Sequence, residues 1–357
     1  MAIFLKFLLQ ASLIVLCLLC SSENTCAKEP GHEGQYPYRH TVLVSSLLPF
    51  TVCNRSSKVS SKASLELVHK YGPCSELKKG KPNTPSWSQI LLKDQARVHS
   101  INFRRRQYMN SDKNQLKQTK STSFPFGYDS SIGLGEYYAI VDIGTPGQSV
   151  YVILDTGSDI TWIQCKPCSV QCFKQPGPIF DPSKSSTYSP NIGVIGLSRA
   201  PISFVYQTAP LFKNYFSYCF PSDFSSTGYI TFGKHDNLNN KYIKFTPIPT
   251  TPQQSQFYDV VITEISVAGK KLLIKSSVFT RGGAIIDSGT VITRLPPEAY
   301  TALRSAFRKE MARYKLAAPD EIIDSTCYDF SSYETVVVPK ISYWIEFTIN
   351  CFVLYLK

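Results

Sequence analysis

Val150-Tyr151-Val152-Ile153-Leu154-Asp155-Thr156-Gly157-Ser158-Asp159-Ile160-Thr161 decides how the rest of the chain is read, because its pattern returns as Gly283-Ala284-Ile285-Ile286-Asp287-Ser288-Gly289-Thr290-Val291-Ile292-Thr293. In each copy an apolar, β-branched run reads as a buried strand, and an aspartate followed by hydroxyl, glycine and hydroxyl stands where that strand must stop and turn. One Asp-Thr-Gly is usually an ordinary turn; two with the same flanks point to a duplicated lobe. Each copy would then bring one carboxylate, Asp155 or Asp287, to a shared pseudo-two-fold axis. Gly157 and Gly289 let the backbone turn tightly, Thr156 and Ser288 shape the turns, and Ser158 and Thr290 hydrogen-bond the carboxylates. Two carboxylates that close cannot both ionise, so the pair is expected to share one proton at mildly acidic pH, giving an acid and a base in one place.

Further pieces surround these turns: Gly135-Glu136-Tyr137-Tyr138, Gly144-Thr145-Pro146, Asp159 to Cys165, Phe180-Asp181-Pro182, Phe216-Ser217-Tyr218-Cys219 and the run Val291 to Pro296. Together they resemble the pepsin-like aspartic peptidases, and within them the plant nepenthesin-type group. Val68 to Ser75 and Leu92 to Arg97 are similar to the branch that includes a plant peptidase described as a chloroplast nucleoid DNA-binding protein. The resemblance implies an all-β, bilobal fold, preceded by a signal peptide and a prosegment. It also implies Asp155 and Asp287 as catalytic residues, polypeptide substrates cleaved between bulky apolar residues, and neither cofactor nor metal. A monomer is expected. Cys165, Cys168 and Cys172 would staple an insertion beside the first aspartate; with no histidine or fourth cysteine nearby, their spacing does not suit zinc.

The chain departs from the family pattern in two places. Tyr188-Ser189-Pro190 runs almost directly into Gly193 to Arg199, where the family carries a long segment with the flap, a hairpin whose tyrosine closes over substrate. Asp155 and Asp287 are only 132 positions apart as a result, and no tyrosine takes the flap role. After Val338-Pro339-Lys340, the stretch from Ile341 to Lys357 reads as out of pattern, so the second lobe is expected to lack strands and Cys219 and Cys327 to lack partners.

The 357 residues suffice for two lobes plus processing segments. Lys6 precedes an apolar run from Phe7 to Cys20, read as a secretory signal peptide cleaved between Ser22 and Ala27, with residues 1–27 removed. Secretion is therefore expected, with vacuole or chloroplast as alternatives, and the eleven cysteines become candidates for disulfides, among them Cys165, Cys168, Cys172, Cys219 and Cys327. Asn54-Arg55-Ser56 is a glycosylation acceptor triplet. The net charge of +12 is concentrated: from Lys28 to Lys120 there are 17 Lys and Arg against 6 Asp and Glu, and from Ser121 onward 20 against 19. Residues 28–120 lack strand alternation, hold one helical-looking stretch from Trp87 to Ile101, and read as an inhibitory prosegment whose basic side chains pair with cleft carboxylates and let go on acidification. The first lobe spans 121–225 and the second 226–357, both rich in short strands, with a helix over Pro296 to Lys315.

Three functions compete on these residues. A secreted aspartic endopeptidase precursor acting through an activated water leads; a catalytically impaired or unstable isoform, acting if at all as a binding or decoy protein, is second. DNA binding through the basic prosegment is third, and nucleic acid is not expected to bind the mature body. The five histidines form no Ser or Cys triad.

Overall fold

The computed structural model describes residues 38–48, 51–55, 63–78, 86–110, 137–168, 172, 175, 179–183, 192–221, 224–234, 245–246, 248, 256–280, 283–318, 326–345 and 353–355. The signal peptide, the Gly135-Glu136 entry, the Tyr188-Ser189-Pro190 junction and His235 lie outside them.

The strands in chain order are β1 (Arg39–Leu43), β2 (Ser64–His69), β3 (Tyr137–Ile143), β4 (Gln148–Asp155), β5 (Ile192–Gly196), β6 (Phe216–Cys219), β7 (Gly228–Phe232), β8 (Asp259–Val260), β9 (Ile262–Val267), β10 (Lys270–Lys271), β11 (Ala284–Ile285), β12 (Thr335–Pro339), β13 (Ile341–Ile345) and β14 (Val353–Tyr355). Two long helices accompany them, α1 (Trp87–Asn110) and α2 (Pro297–Glu310).

The first lobe is built on a six-stranded sheet in the order β5-β4-β3-β2-β7-β6. The apolar run that precedes Asp155 is β4, buried along nearly its whole length, with β3 antiparallel on one edge and β5 parallel on the other. A strand buried on both faces needs apolar residues at successive positions, which is why Val150 to Leu154 shows no polar alternation. Leu67, Ala139, Val150, Val152, Leu154, Ile195, Leu197 and Ile230 form its core.

The second lobe centres on the sheet β10-β9-β13-β14. Ile265, Val267 and Tyr343 pack there against Leu272, Phe279 and Ala299, the last from α2. Pro297 at the first helical turn and Glu298 beside it suit the start of α2, and Arg308 and Lys309 its end.

Two expectations are corrected. The segment 28–120 is not devoid of strands: β1 pairs along all five residues with β12, and β2 lies between β3 and β7 in the middle of the main sheet. Ser64-Leu65-Glu66-Leu67 does alternate, with Leu65 packed on the core and Leu67 buried in it, but the pattern is only four residues long within a basic, otherwise irregular segment. The start of the stretch after Lys340 is not out of pattern either. Its first five residues are β13, which pairs antiparallel with β9 from Ile341↔Val267 onward and carries buried Tyr343 into the core; alternating side chains on a half-buried strand account for the mixed look of Ile-Ser-Tyr-Trp-Ile.

Two disulfides form among the described residues, Cys53–Cys74 and Cys168–Cys172. Cys219 and Cys327 carry free thiols, in line with the expectation that they lack partners, and Cys165 carries one too, contrary to its reading as part of a disulfide staple. Cys168 and Cys172 bring their Cα atoms to 5.3 Å within one short loop, which leaves Cys165 over.

Candidate active site

Asp155 is the last residue of β4 and is fully buried. Gly157 N donates to its Oδ1 at 2.9 Å and Ser158 Oγ donates to its Oδ2. The second turn repeats this atom for atom: Gly289 N donates to Asp287 Oδ1 at 3.1 Å and Thr290 Oγ1 donates to Asp287 Oδ2. The turns also clasp each other. Thr156 N donates to Ser288 Oγ at 3.1 Å and Ser288 N donates to Thr156 Oγ1 at 2.8 Å, while Ser288 Oγ donates to the Leu154 carbonyl at 3.0 Å. All eight residues singled out from the two motifs therefore meet in one place.

The glycines leave room for the other copy's carboxylate and for Arg97 of α1. A Cβ on Gly157 would stand 2.7 Å from both Asp287 Oδ1 and Arg97 Nη2, and one on Gly289 would stand 2.6 Å from Asp155 Oδ1 and closer still to Arg97 Nη2. Real Cβ atoms do not approach that closely, so a side chain at either position displaces the guanidinium and crowds the carboxylate.

The pair is occupied by a side chain from α1. Arg97 Nη1 donates to Asp155 Oδ2 at 2.9 Å, Nη2 donates to Asp155 Oδ1 and to Asp287 Oδ2 (2.8 Å), and Nε donates to Asp287 Oδ2 at 3.1 Å. The guanidinium fork suits two carboxylates at once. This alters the expected proton sharing. Burial alone would push the Asp287 carboxyl up, but the Arg97 charge and the hydrogen bonds from Thr290, Arg97 and Gly289 outweigh it and hold the group below its usual range. Burial opposes the Arg97 charge, and the two aspartates overcome that and raise its pKa. With the cation in place the Asp287 carboxyl favours its ionised form, whereas the sharing of one proton is expected of the two carboxylates without a cation between them.

The local sequence explains why Arg97 points here. Ser86 and Gln89 form a reciprocal capping box, with Gln89 N donating to Ser86 Oγ at 3.2 Å and Ser86 N donating to Gln89 Oε1 at 3.1 Å. From that start Ile90, Asp94, Arg97, Ile101 and Arg104 fall at steps of four and three, on one face of the helix. Asp94 is buried and accepts from Val291 N at 2.7 Å and from Arg294 Nη2 at 2.7 Å, which locks α1 to the segment just past Thr290. Sequence reasoning expected basic residues in the cleft without singling out Arg97; the stripe of mixed apolar and ionic residues after a capping box was the available signal.

The remaining residues sit elsewhere. Asn54 is exposed, and its amide donates to the Ser225 carbonyl at 2.7 Å. Trp162 is about one-third exposed and forms a bridge with Val194. Among the described residues no group of three or more His, Cys, Asp or Glu is placed to hold a metal, and no helix is long and apolar enough to cross a membrane.

A family model described as Xylanase inhibitor N-terminal matches residues 137–192 and 189–234, its two segments meeting between Tyr188 and Gly193, at the departure from the family pattern. One described as Xylanase inhibitor C-terminal matches residues 257–349. An aspartyl protease family protein of Arabidopsis thaliana is 35% identical over 405 aligned positions, covering 92% of this chain and 84% of the relative. Aspartyl protease AED1 of the same plant is 34% identical across 96% of this chain and 86% of its own length. Aspartic proteinase nepenthesin-2 of Nepenthes gracilis is 32% identical across 59% and 64%. None of these three names points to the chloroplast nucleoid branch. Similarity of this extent, running through both copies of the turn, shows that the chain belongs to the plant aspartic proteases of pepsin-like fold.

Proposed function

We propose that this chain is the precursor of a secreted aspartic endopeptidase that cleaves polypeptides at acidic pH, held inactive by its own α1. The observation that supports this most is the convergence of Asp155 and Asp287 on a single guanidinium, since a group that fills the pair excludes both water and substrate from it. Acidification protonates carboxylates, weakens the hold of Arg97 and frees the pair. The proton it then shares leaves one carboxylate to deprotonate a water that attacks the scissile carbonyl, and one carboxylic acid to stabilise the oxyanion. The carboxyl group that took the water's proton passes it to the departing nitrogen as the tetrahedral intermediate collapses. No covalent intermediate is needed.

The test is digestion of casein at about pH 3 to 4, where a carboxylate pair holds one proton, with and without pepstatin. Asp155→Asn is expected to lower the rate by about 10²- to 10⁴-fold, the usual worth of a positioned acid or base. A second reading, a binding protein without activity, is favoured by the description of the matched family models as xylanase inhibitor domains. It predicts no cleavage by the wild-type chain after acid treatment.

A further inference from the structure

The face of α1 that carries Arg97 continues beyond the aspartate pair. Two turns further on, about 10 Å along the axis, Arg104 Nη2 donates to the Gly157 carbonyl at 2.6 Å, and Nη1 lies 4.0 Å from Asp159 Oδ2. Its guanidinium sits over the buried Phe257 ring, 5.2 Å from the centroid. Arg105 Nη2 donates to Asp259 Oδ1 at 3.0 Å. Each carboxylate keeps one oxygen in reserve: Asp159 Oδ1 and Asp259 Oδ2 are buried and accept no hydrogen bond among the described residues. Asp259 is only 8% exposed.

A buried carboxylate oxygen without a donor is costly, and neither group is needed to build the turns around Asp155 and Asp287. Both are nevertheless fixed by them. Asp159 lies four residues past Asp155, and Asp259 is paired across β8 and β11 with Ile285, two residues before Asp287. The fold thus sets one carboxylate from each lobe, and an aromatic plate under the Arg104 guanidinium, beside the site where bonds would break.

We propose that Asp159 and Asp259 are specificity-determining residues that seat basic side chains of the polypeptide substrate, and that Arg104 and Arg105 occupy those seats in the precursor. The proposal rests on reading the cleft as that of a peptidase, and it names the class of substrate: chains with arginine or lysine near the bond that is cut. An extended substrate rises about 3.3 Å per residue, so the separation of Arg104 from Arg97 corresponds to roughly three residues from the scissile position. Planar guanidinium suits the site better than ammonium, because it can stack on Phe257 while donating to carboxylate and carbonyl at once.

The experiment uses the full chain carrying Asp94→Ala, Arg97→Ala, Arg104→Ala and Arg105→Ala, so that α1 has lost its ionic hold on the cleft and no longer competes. Fluorescein-labelled peptides with a reduced, uncleavable scissile bond carry arginine or norleucine at one of the positions two to four residues to either side of it. Anisotropy is read at about pH 5.5, above the ordinary aspartate range. The arginine peptide is expected to bind about tenfold more tightly at one or two positions, as a charge-assisted hydrogen bond implies. Asp259→Asn or Asp159→Asn should remove the difference, and Asp259→Lys should turn the preference towards glutamate, a gain that misfolding cannot mimic. Equal affinity at every position, or a preference that survives both neutral substitutions, overturns the proposal. Casein digestion by the wild-type chain is scored separately, so a failure of catalysis is distinguishable from a failure of the basic subsites.

Discussion

Asp155 and Asp287 show how a residue can be legible in the sequence while its protonation is not. Their positions follow from a repeated tetrapeptide, and the hydrogen bonds from Ser158, Thr290 and the two glycine amides follow from the same pattern. Whether they share a proton depends on Arg97, which lies 58 residues before Asp155 and 190 before Asp287. The cross-lobe fit is equally hidden, since it is Gly289 that makes room for Asp155 and Gly157 that makes room for Asp287. Gly289→Ala is therefore expected to destabilise the fold by about 1–3 kcal/mol, the usual cost of overpacking, and to abolish cleavage. Chemical denaturation followed with the casein assay checks both; retained activity at wild-type level would contradict the crosswise fit.

At the scale of the element, α1 combines a cap with a stripe of two apolar anchors, Ile90 and Ile101, and three ionic residues, Asp94, Arg97 and Arg104, to which Arg105 adds a fourth ionic contact. Loss of the Ser86 cap through Ser86→Ala should weaken the helix by about 1 kcal/mol. A weaker α1 leaves the aspartates more readily, so activity should appear faster after acidification than in the wild type. The pH at which this happens follows from the direction of the Asp287 shift. A carboxyl held below its usual range contributes stability that is fully present above the unfolded value, near pH 4, and is lost as pH falls through the lowered folded value. Onset of cleavage in pH jumps is thus expected only below about pH 4, accelerating with further acid. Arg97→Ala should remove that threshold; an unchanged onset in the variant would show that other contacts hold the helix. The helix itself was visible in the sequence, but its observed end at Asn110 lies nine residues beyond the expected Ile101, because the last turns gain their contacts from Gly157 and Asp259 and not from their own apolar pattern.

At the scale of the molecule, the basic N-terminal segment is woven into both lobes. β1 extends β12, β2 occupies the middle of the main sheet, and α1 spans the aspartates. Its two halves are held by different physics. β2 is held by ladder bonds on both edges and by burial of Leu67 and Val68, α1 largely by charge. Withdrawing a central strand would leave β3 and β7 with open edges and the Leu67 position empty, so a cut within 111–136 is expected to leave residues 63–78 bound to the body at neutral pH. Size-exclusion chromatography of the nicked chain followed by mass spectrometry of the denatured peak checks this, and separate elution of the N-terminal fragment would count against it. What the sequence by itself determined is whatever local patterning encodes: the two aspartate turns, the buried β4 run before the first of them, the α2 stripe and the family. Only the tertiary structure decided that Arg97 fills the aspartate pair, that Asp159 and Asp259 receive the next two arginines, and that a short alternating run in the basic segment supplies a central strand. Those outcomes join residues far apart in the chain, and charge pairing and sheet membership depend on where the backbone brings its partners, which no local period records.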